Sequence, residues 1–547
     1  MERANGTARA RWLRALGLVV FTLLVATSCA SSGDDSSADG DGGGALLEEG
    51  LTSGLVNVEE APEPQQGGTL TMGMFSPVRS LDPAVITGSG TAGGIELAAL
   101  YDVLMRFDRE ADEYVPQLAE SLTPNDDFTE WTLKLRPEVT FTDGTPLDAE
   151  AVVFNLQRHV DEQNRTGALL NGITFEATDA QTVTFTLDDP WAGFPWLLSW
   201  TAGYIASPTA IQADPEGWAS NPVGAGPFVL DEFAANEVLS VNANEDYWNG
   251  RPNLDQVRFT LLQGAQPTAD AILAGDFQAG FVRDPEPVRE LIDAGYPGYL
   301  VLNNSGEIIL LNNGSRGQTD RPTADPRVRL AVRHAVDSEA YNERGYNGQG
   351  FPAYTVMGPS SQWSTESSIE PNPEEAQRLV EEVKAEDGWD GSLSIITTVG
   401  SEDRALSTQA SLNAVGMDVE VDVVPTVSDM LNRVFVDANF DMILWGMSVD
   451  DAEPWVAMYR DLSSESATNP SGYASAEMDA LLTELRAASD EAETQEVLDE
   501  VQALWDVDQP AVNLSQQPDL IAWAPDVYGM VPTVASMVLL DQAFIAD

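Results

Sequence analysis

The parts from which a catalyst could be assembled are few. His159 and His334 are the only histidines, and neither stands near a G-x-S-x-G or H-E-x-x-H pattern. Each falls on an amphipathic helical stretch, where a core-edge or surface role is the simpler reading. Cys29 is the only cysteine, so no intramolecular disulfide can form. Lys134 and Lys384 are the only lysines and neither sits in a Walker A loop, which excludes ATP hydrolysis by that route. No Cys/His cluster suggests zinc, and no D-x-D-x-D-G loop suggests an EF-hand. The 88 acidic residues could supply a carboxylate pair, but nothing in their spacing selects one. Gly88-Ser89-Gly90-Thr91-Ala92-Gly93 has the form G-x-G-x-x-G ahead of a helix, where amide groups could hold a phosphate. A dinucleotide site needs the strand to run straight into the first glycine. Leu81-Asp82-Pro83 interrupts it, so a flexible loop is the expectation. The sequence therefore reads as a non-enzyme with no cofactor and no metal.

Recognition asks for less: a cleft with aromatic walls and a few polar anchors. Trp191, Phe194, Trp196 and Trp200 crowd one short segment. Packing between helix and sheet accounts for most of them, and Trp200, just before a turn at Gly203, is the one placed to line a cavity. A second aromatic and acidic run, from Trp445 to Trp455, follows a short apolar strand over 441–444.

The elements that must position these groups are clearest over residues 131–159. Trp131, Leu133 and Leu135 alternate with Thr132, Lys134 and Arg136, which is strand periodicity, and Val139 and Phe141 extend it. Asp143-Gly144 makes a tight turn and Pro146 stiffens its exit. Asp148 then caps a helix with Glu150 in its first turn, and Val152, Leu156 and Val160 form one apolar face. Further helices are expected over 267–274, after the cap Asp325-Pro326, and after Asn372-Pro373. Arg327, Arg329 and Arg333 are placed on the solvated side of the second of these.

A chain of 547 residues has room for about three to four domains. Its net charge of -61 repels nucleic acid and anionic lipid headgroups, so no nucleic-acid partner is expected. Arg3, Arg9, Arg11 and Arg14 precede an apolar run over 16–26 that is short for a spanning helix, which makes 1–28 a signal peptide. Residues 29–66 are rich in Ser, Gly, Asp and Glu and read as a disordered acidic tether.

Several blocks together resemble family 5 extracellular solute-binding proteins, the receptors of peptide- and nickel-type ABC importers. They are the W-x-L-x-L-R…V-x-F-x-D-G-x-P stretch from Trp131, Asn221-Pro222-Val223-Gly224-Ala225-Gly226-Pro227-Phe228, Asn244 to Val257 with Tyr247-Trp248, and Asp325 to Asp337. Ala26-Thr27-Ser28-Cys29 is similar to a bacterial lipobox, with Ala26 in place of the usual leucine, and implies lipidation of Cys29. The resemblance implies an α/β, two-lobed periplasmic-binding-protein-like fold with a hinge and an extra subdomain in the first lobe. Lobe I would span 67–306, lobe II 307–508, and 509–547 would return to lobe I. The implied function is capture of an oligopeptide or dipeptide by lobe closure and delivery to an ABC permease with its ATPase. The protein would be a monomer held to the outer face of the cell membrane by its lipid anchor. A non-peptide solute (an oligosaccharide, metal chelate or opine-like compound) is the alternative, and a surface enzyme or adhesion protein on this fold is a third reading. In peptide receptors of the family an aspartate in the Trp445–Trp455 run pairs with the peptide ammonium. Counting from Trp445 puts Ser448 at that place, and counting back from Glu453-Pro454 puts Asp450 there. Trp445, Ser448, Asp450 and Trp200 are thus the expected ligand contacts.

Overall fold

A computed structural model describes residues 51–109 and 111–546. The signal peptide, Cys29 and most of the expected tether lie outside the described residues. The organising elements are two neighbouring antiparallel strands, Gly298–Leu311 and Ala511–Trp523, buried along nearly their whole length. Each has apolar ends and a polar middle: Asn303 to Glu307 in one, Ser515 to Asp519 in the other. The apolar ends belong to two different halves of one mixed sheet. On one side follow Ala279–Arg283, Thr69–Met74, Gln256–Leu261, Val238–Ala243 and Phe228–Ala234. On the other follow Met442–Trp445, Ser392–Thr398 and Asp418–Val424. Val328, Leu379, Ile395 and Met442 build a separate core under this second half. The fold is thus two-lobed, with the two long strands crossing between the lobes.

The crossing is irregular where the polar residues fall. The register shifts between Asn303 and Glu307, Ser305 has φ 44°, and a Cβ on Gly306 would stand 2.3 Å from the Gln517 amide nitrogen. Ser305 Oγ donates to the Val356 carbonyl at 2.9 Å. The Asn304 carbonyl, left without a ladder partner there, accepts from the Val449 amide at 2.9 Å.

The subdomain of the first lobe is a four-stranded antiparallel sheet, Ala119–Pro124, Glu130–Leu135, Thr182–Leu187 and Ile173–Asp179 in spatial order, with the helix Ala149–Asp161. Asp148 Oδ1 accepts from the Ala151 amide at 3.0 Å, which is the cap read from the sequence. Asp143 Oδ1 accepts from the Thr145 amide at 2.9 Å, and Gly144 has φ 82°, as the turn requires. Residues 139–141 do not join a ladder; Thr140 makes only an isolated bridge to Pro146. The helix buries Val152 and Leu156, and also Asn155, which grips the Ala206 backbone through both ends of its amide at 2.8 and 3.2 Å.

The family-like turns have local causes. Tyr247 Oη and Trp248 Nε1 donate to the same oxygen of buried Asp102, at 2.5 and 3.0 Å. Gly226 donates its amide to the Leu100 carbonyl at 3.0 Å, and a Cβ there would lie 2.4 Å from the Leu100 carbonyl carbon. That close approach, with ordinary φ, is what demands glycine.

Two expectations are corrected. The end of the expected tether is ordered: Gly54–Val56 pairs with Gly298–Leu300, and Leu51 and Val56 pack on the helices beneath. Its few apolar residues suffice to add a strand to an open edge. Arg327 is on the surface of the helix Pro326–Ala335, but Arg329 and Arg333 are buried. Arg329 donates to the carbonyls of Thr323, Ala324 and Asp508, and Arg333 to that of Ile369. These guanidinium groups cap carbonyls left open around the helix.

Candidate functional site: a cavity between the lobes

Where the two polar strand centres meet, a cavity of about 470 Å³ opens between the lobes. That is inside the range of roughly 300–1,000 Å³ common for small-ligand sites. The first lobe contributes the loop at Ser89, the pair Trp196 and Trp200, Arg283, Asn303 and Asp519; the subdomain contributes residues 163–171; the second lobe contributes residues from 446 to 468.

Three of the four expected contacts line this cavity, and the fourth does not. Trp200 is on its wall and packs on Trp196, with ring centroids 4.8 Å apart. Trp196 lines the cavity as well, although it reads as core from sequence; its helix Pro195–Leu198 ends before Trp200, so no helical spacing announces the pair. Ser448 is in the wall with φ 55°. Its flanking residue Met447 donates to the Ser305 carbonyl at 3.0 Å, which fixes this loop to the crossing strand. Trp445 instead lines an adjoining recess of about 300 Å³ with Thr397, Ser401 and Arg404. The two spaces share Arg283, Gly446 and Ser448. Trp445 is held there by an edge contact to Phe435, centroids 6.0 Å apart.

Asp450 lines the cavity, and its carboxylate is already engaged. Oδ1 accepts from Arg109 Nη2 at 3.3 Å and from the Ala452 amide at 3.0 Å, and Oδ2 accepts from the Ala535 amide at 3.0 Å. Asp451 is part of the crossing, accepting from Asn304 Nδ2 at 2.7 Å and Ser361 Oγ at 2.6 Å. Neither behaves as a solvated loop residue.

Sequence reading missed the rest of the wall chemistry. Arg283 meets Asp519 in a two-point pair at 2.6 and 2.8 Å, and Asp519 also accepts from Asn303 at 2.9 Å and Ser536 at 2.8 Å. Arg460 is paired with its neighbour Asp461. Glu453 is buried, and that burial raises its carboxyl to about 8, so it is largely neutral at pH 7. It fills the space over Gly193, where a Cβ would stand 1.4 Å from Glu453 Oε2. A polar middle in two otherwise apolar strands was the available signal for Asn303 and Asp519. No local pattern marks Arg283, whose partner is 236 residues away.

The G-x-G-x-x-G loop is explained by packing. The Gly90 amide donates to the Ala535 carbonyl at 3.0 Å, and a Cβ on Gly90 would lie 1.8 Å from the Ser536 carbonyl oxygen. Its glycine admits the 535–536 segment, which also supplies an amide to Asp450. His159 is 2% exposed, contacts Asn164 Nδ2 at 2.9 Å, and is pushed down to about 4 by burial, so it is a neutral core residue. Among the described residues no group of three or more His, Cys, Asp or Glu side chains is arranged to hold a metal. Among them no helix is long and apolar enough to cross a membrane.

An open cavity between lobes that share two crossing strands is the architecture of a two-lobed binding protein. The fold is that of the periplasmic binding protein DppA from Helicobacter pylori, solved with the peptide STSA: TM-score 0.74, 23% identity, covering 88% of this chain and 99% of that one. Residues 113–469 match the family model of bacterial extracellular solute-binding proteins, family 5, and the chain belongs to that family. The glutathione-binding protein GsiB of Shigella flexneri is 29% identical over 331 residues, 59% of this chain and 63% of that relative's length. A probable D,D-dipeptide-binding periplasmic protein, DdpA of Escherichia coli K12, is 26% identical over 500 residues, 84% of this chain and 91% of that one.

Proposed function

We propose that this chain is the solute receptor of an ABC importer and that it captures short peptides by closing its lobes over the cavity. Residues 67–306 and 509–547 form one lobe and 307–508 the other, a division supported by the order of strands in the sheet. The observation that carries the reading is the bridge, at the edge of the cavity, from second-lobe Asp450 to first-lobe Arg109 and Ala535. A carboxylate offers about four lone-pair sites, and three are taken. The fourth is the place for a peptide ammonium, with Trp196 and Trp200 as an apolar wall beside it. Closure is a population shift driven by the solute's preference for the closed state. The permease and its ATPase then receive a monomeric, solute-loaded receptor, held at the outer face of the cell membrane by lipid on Cys29. Cys29→Ser should move the protein from the membrane fraction to the medium.

A non-peptide solute is the second reading, favoured by the same bridge: Arg109 already balances the charge that an ammonium would meet. Mass spectrometry of small molecules released from the purified protein separates the two. A ladder of short peptides, depleted in Asp450→Asn, supports the first. One non-peptide compound, retained equally by Asp450→Asn, replaces it with the second.

A further inference from the structure

Beside the cavity the lobes touch at a second place, through contacts made by the chain alone. The first lobe supplies residues 189–194 and, from the strand Glu113–Pro116, Tyr114. The second supplies Glu453, Trp455 at the start of the helix Pro454–Leu462, and Arg486 in the last turn of the helix Ala476–Ala487. Trp191 meets Trp455 edge to face, with ring centroids 4.9 Å apart. The Arg486 guanidinium carbon lies 5.2 Å from the Trp191 ring centroid and 5.0 Å from that of Trp455. Arg486 Nη1 is 3.8 Å from Asp189 Oδ2, and the Arg486 carbonyl accepts from the Ala192 amide at 3.1 Å. Tyr114 Oη donates to the Ala452 carbonyl at 3.1 Å. The chain itself passes between the lobes at the crossing strands, so these contacts can part without disturbing that link.

Glu453 makes this contact depend on a proton. Its carboxyl occupies the space that a side chain at 193 would fill, and the residue is 7% exposed. Residues 191–194, which cover it, carry no titratable group. The groups that face it are Asp450 on its own loop, Arg486 and Tyr114. Arg486 is already shared between two indole rings and Asp189. Asp450 repels a second negative charge so close by. The niche therefore favours the neutral acid, whereas separated lobes would leave the charged form to water. Burial raises the carboxyl to about 8; the Trp191 indole and Arg486 pull the other way, and Asp450 adds to the rise.

We propose that this contact is a clasp holding the lobes closed, and that Glu453 enters it as the neutral acid, so that closing takes up a proton. The inference rests on the receptor reading above and adds a proton to its closing step. Glu453 acts as a positioning residue: it sets how the lobes meet. The sign of the pH effect follows. Between the ordinary 4.5 and about 8, the closed protein keeps a proton that the open one has released. The closure constant therefore falls by up to about tenfold per pH unit in that window. Above about pH 8 both forms are charged and the fall stops.

Small-angle scattering of the solute-free full-length protein, recorded from about pH 5 to 9 with circular dichroism at each step, tests the clasp. We expect the radius of gyration of wild type to rise between pH 5 and 8 and then level off, with circular dichroism unchanged. Glu453→Gln keeps the shape of the neutral acid and should stay compact throughout. Gly193→Ala fills the niche, since its Cβ would stand 1.4 Å from Glu453 Oε2, and should be expanded already at pH 5 with no further response. A radius that does not change with pH in wild type, or that rises equally in Glu453→Gln, overturns the inference and leaves the receptor reading standing. An expansion that comes with loss of secondary structure is unfolding and overturns it too. The receptor reading fails separately, on the absence of any solute released from the purified protein, whatever the scattering shows.

Discussion

Arg109 Nη2 lies 3.3 Å from Asp450 Oδ1, so an arginine of the first lobe holds the acid that closes the cavity from the second. Side-chain exposure is 21% for the arginine and 12% for the aspartate, which places the pair in a weakly screened setting. Removing one partner of such a pair leaves the other without compensation. Asp450→Ala should lower stability by about 2 kcal/mol and loosen the lobes. Urea unfolding measures the first and small-angle scattering of the solute-free protein measures the second. Unchanged midpoint and radius of gyration would mean that the bridge contributes nothing to closure.

Glu453 gives the protein a definite pH response. Its carboxyl sits at about 8 in the folded chain, above its ordinary 4.5, because burial penalises the charged form. Between these values the folded state holds a proton that the unfolded state has released. The stability from this group is therefore complete below about pH 4.5 and is lost as pH rises toward 8. Buried Asp102 and Glu96, each raised to about 7 by burial, act in the same direction. Glu453→Gln fixes the neutral form, so its melting temperature should fall less than that of wild type between pH 5 and 8.5. Parallel curves for the two proteins would show that Glu453 does not titrate in this window.

Much of the frame was legible because its causes are local. The cap at Asp148, the turn at Asp143-Gly144 and the alternation from Trp131 to Leu135 each lie within a few residues, and each stands where the pattern puts it. The site was less legible because its contacts are not local. Asp519 and Arg283 meet across the sheet, and the partner of Asp450 is 341 residues away. Arg329 and Arg333 were misplaced because a charged side chain can be buried by donating to carbonyls that no sequence pattern announces. The direction of Trp445 was not legible either: it ends its strand beside the cavity and faces the adjoining recess.

Tyr247 and Trp248 are structural through a single acceptor, Asp102. The acid is 2% exposed and lies near Asp541, whose charge adds to the burial penalty on it. Tyr247→Phe keeps the ring and removes one donor. It should cost about 1–2 kcal/mol, since a buried acid then loses a hydrogen bond that favours its charged form. The same change should leave solute affinity unaltered, because neither residue lines the cavity. Loss of binding with unchanged stability would contradict the assignment.

Gly90 connects the cleft loop to the segment that carries Asp450's amide partner. Gly90 donates its amide to the Ala535 carbonyl, while Ala535 donates its own amide to Asp450. A methyl group at Gly90 would overlap the Ser536 carbonyl oxygen, at 1.8 Å, and backbone cannot yield as a flexible side chain would. The 535–536 segment must therefore move, and Asp450 loses its most rigid donor. Gly90→Ala should weaken solute retention about tenfold while costing about 1–3 kcal/mol of stability. Gly144→Ala is the matching control: its added methyl meets nothing within 4 Å, and it lies in a subdomain turn away from the cavity. With φ 82° it too is strained, so it lowers stability without the clash. If both variants lose solute binding equally, the effect is general destabilisation. If Gly90→Ala alone loses it, the loop carries the cavity wall into place.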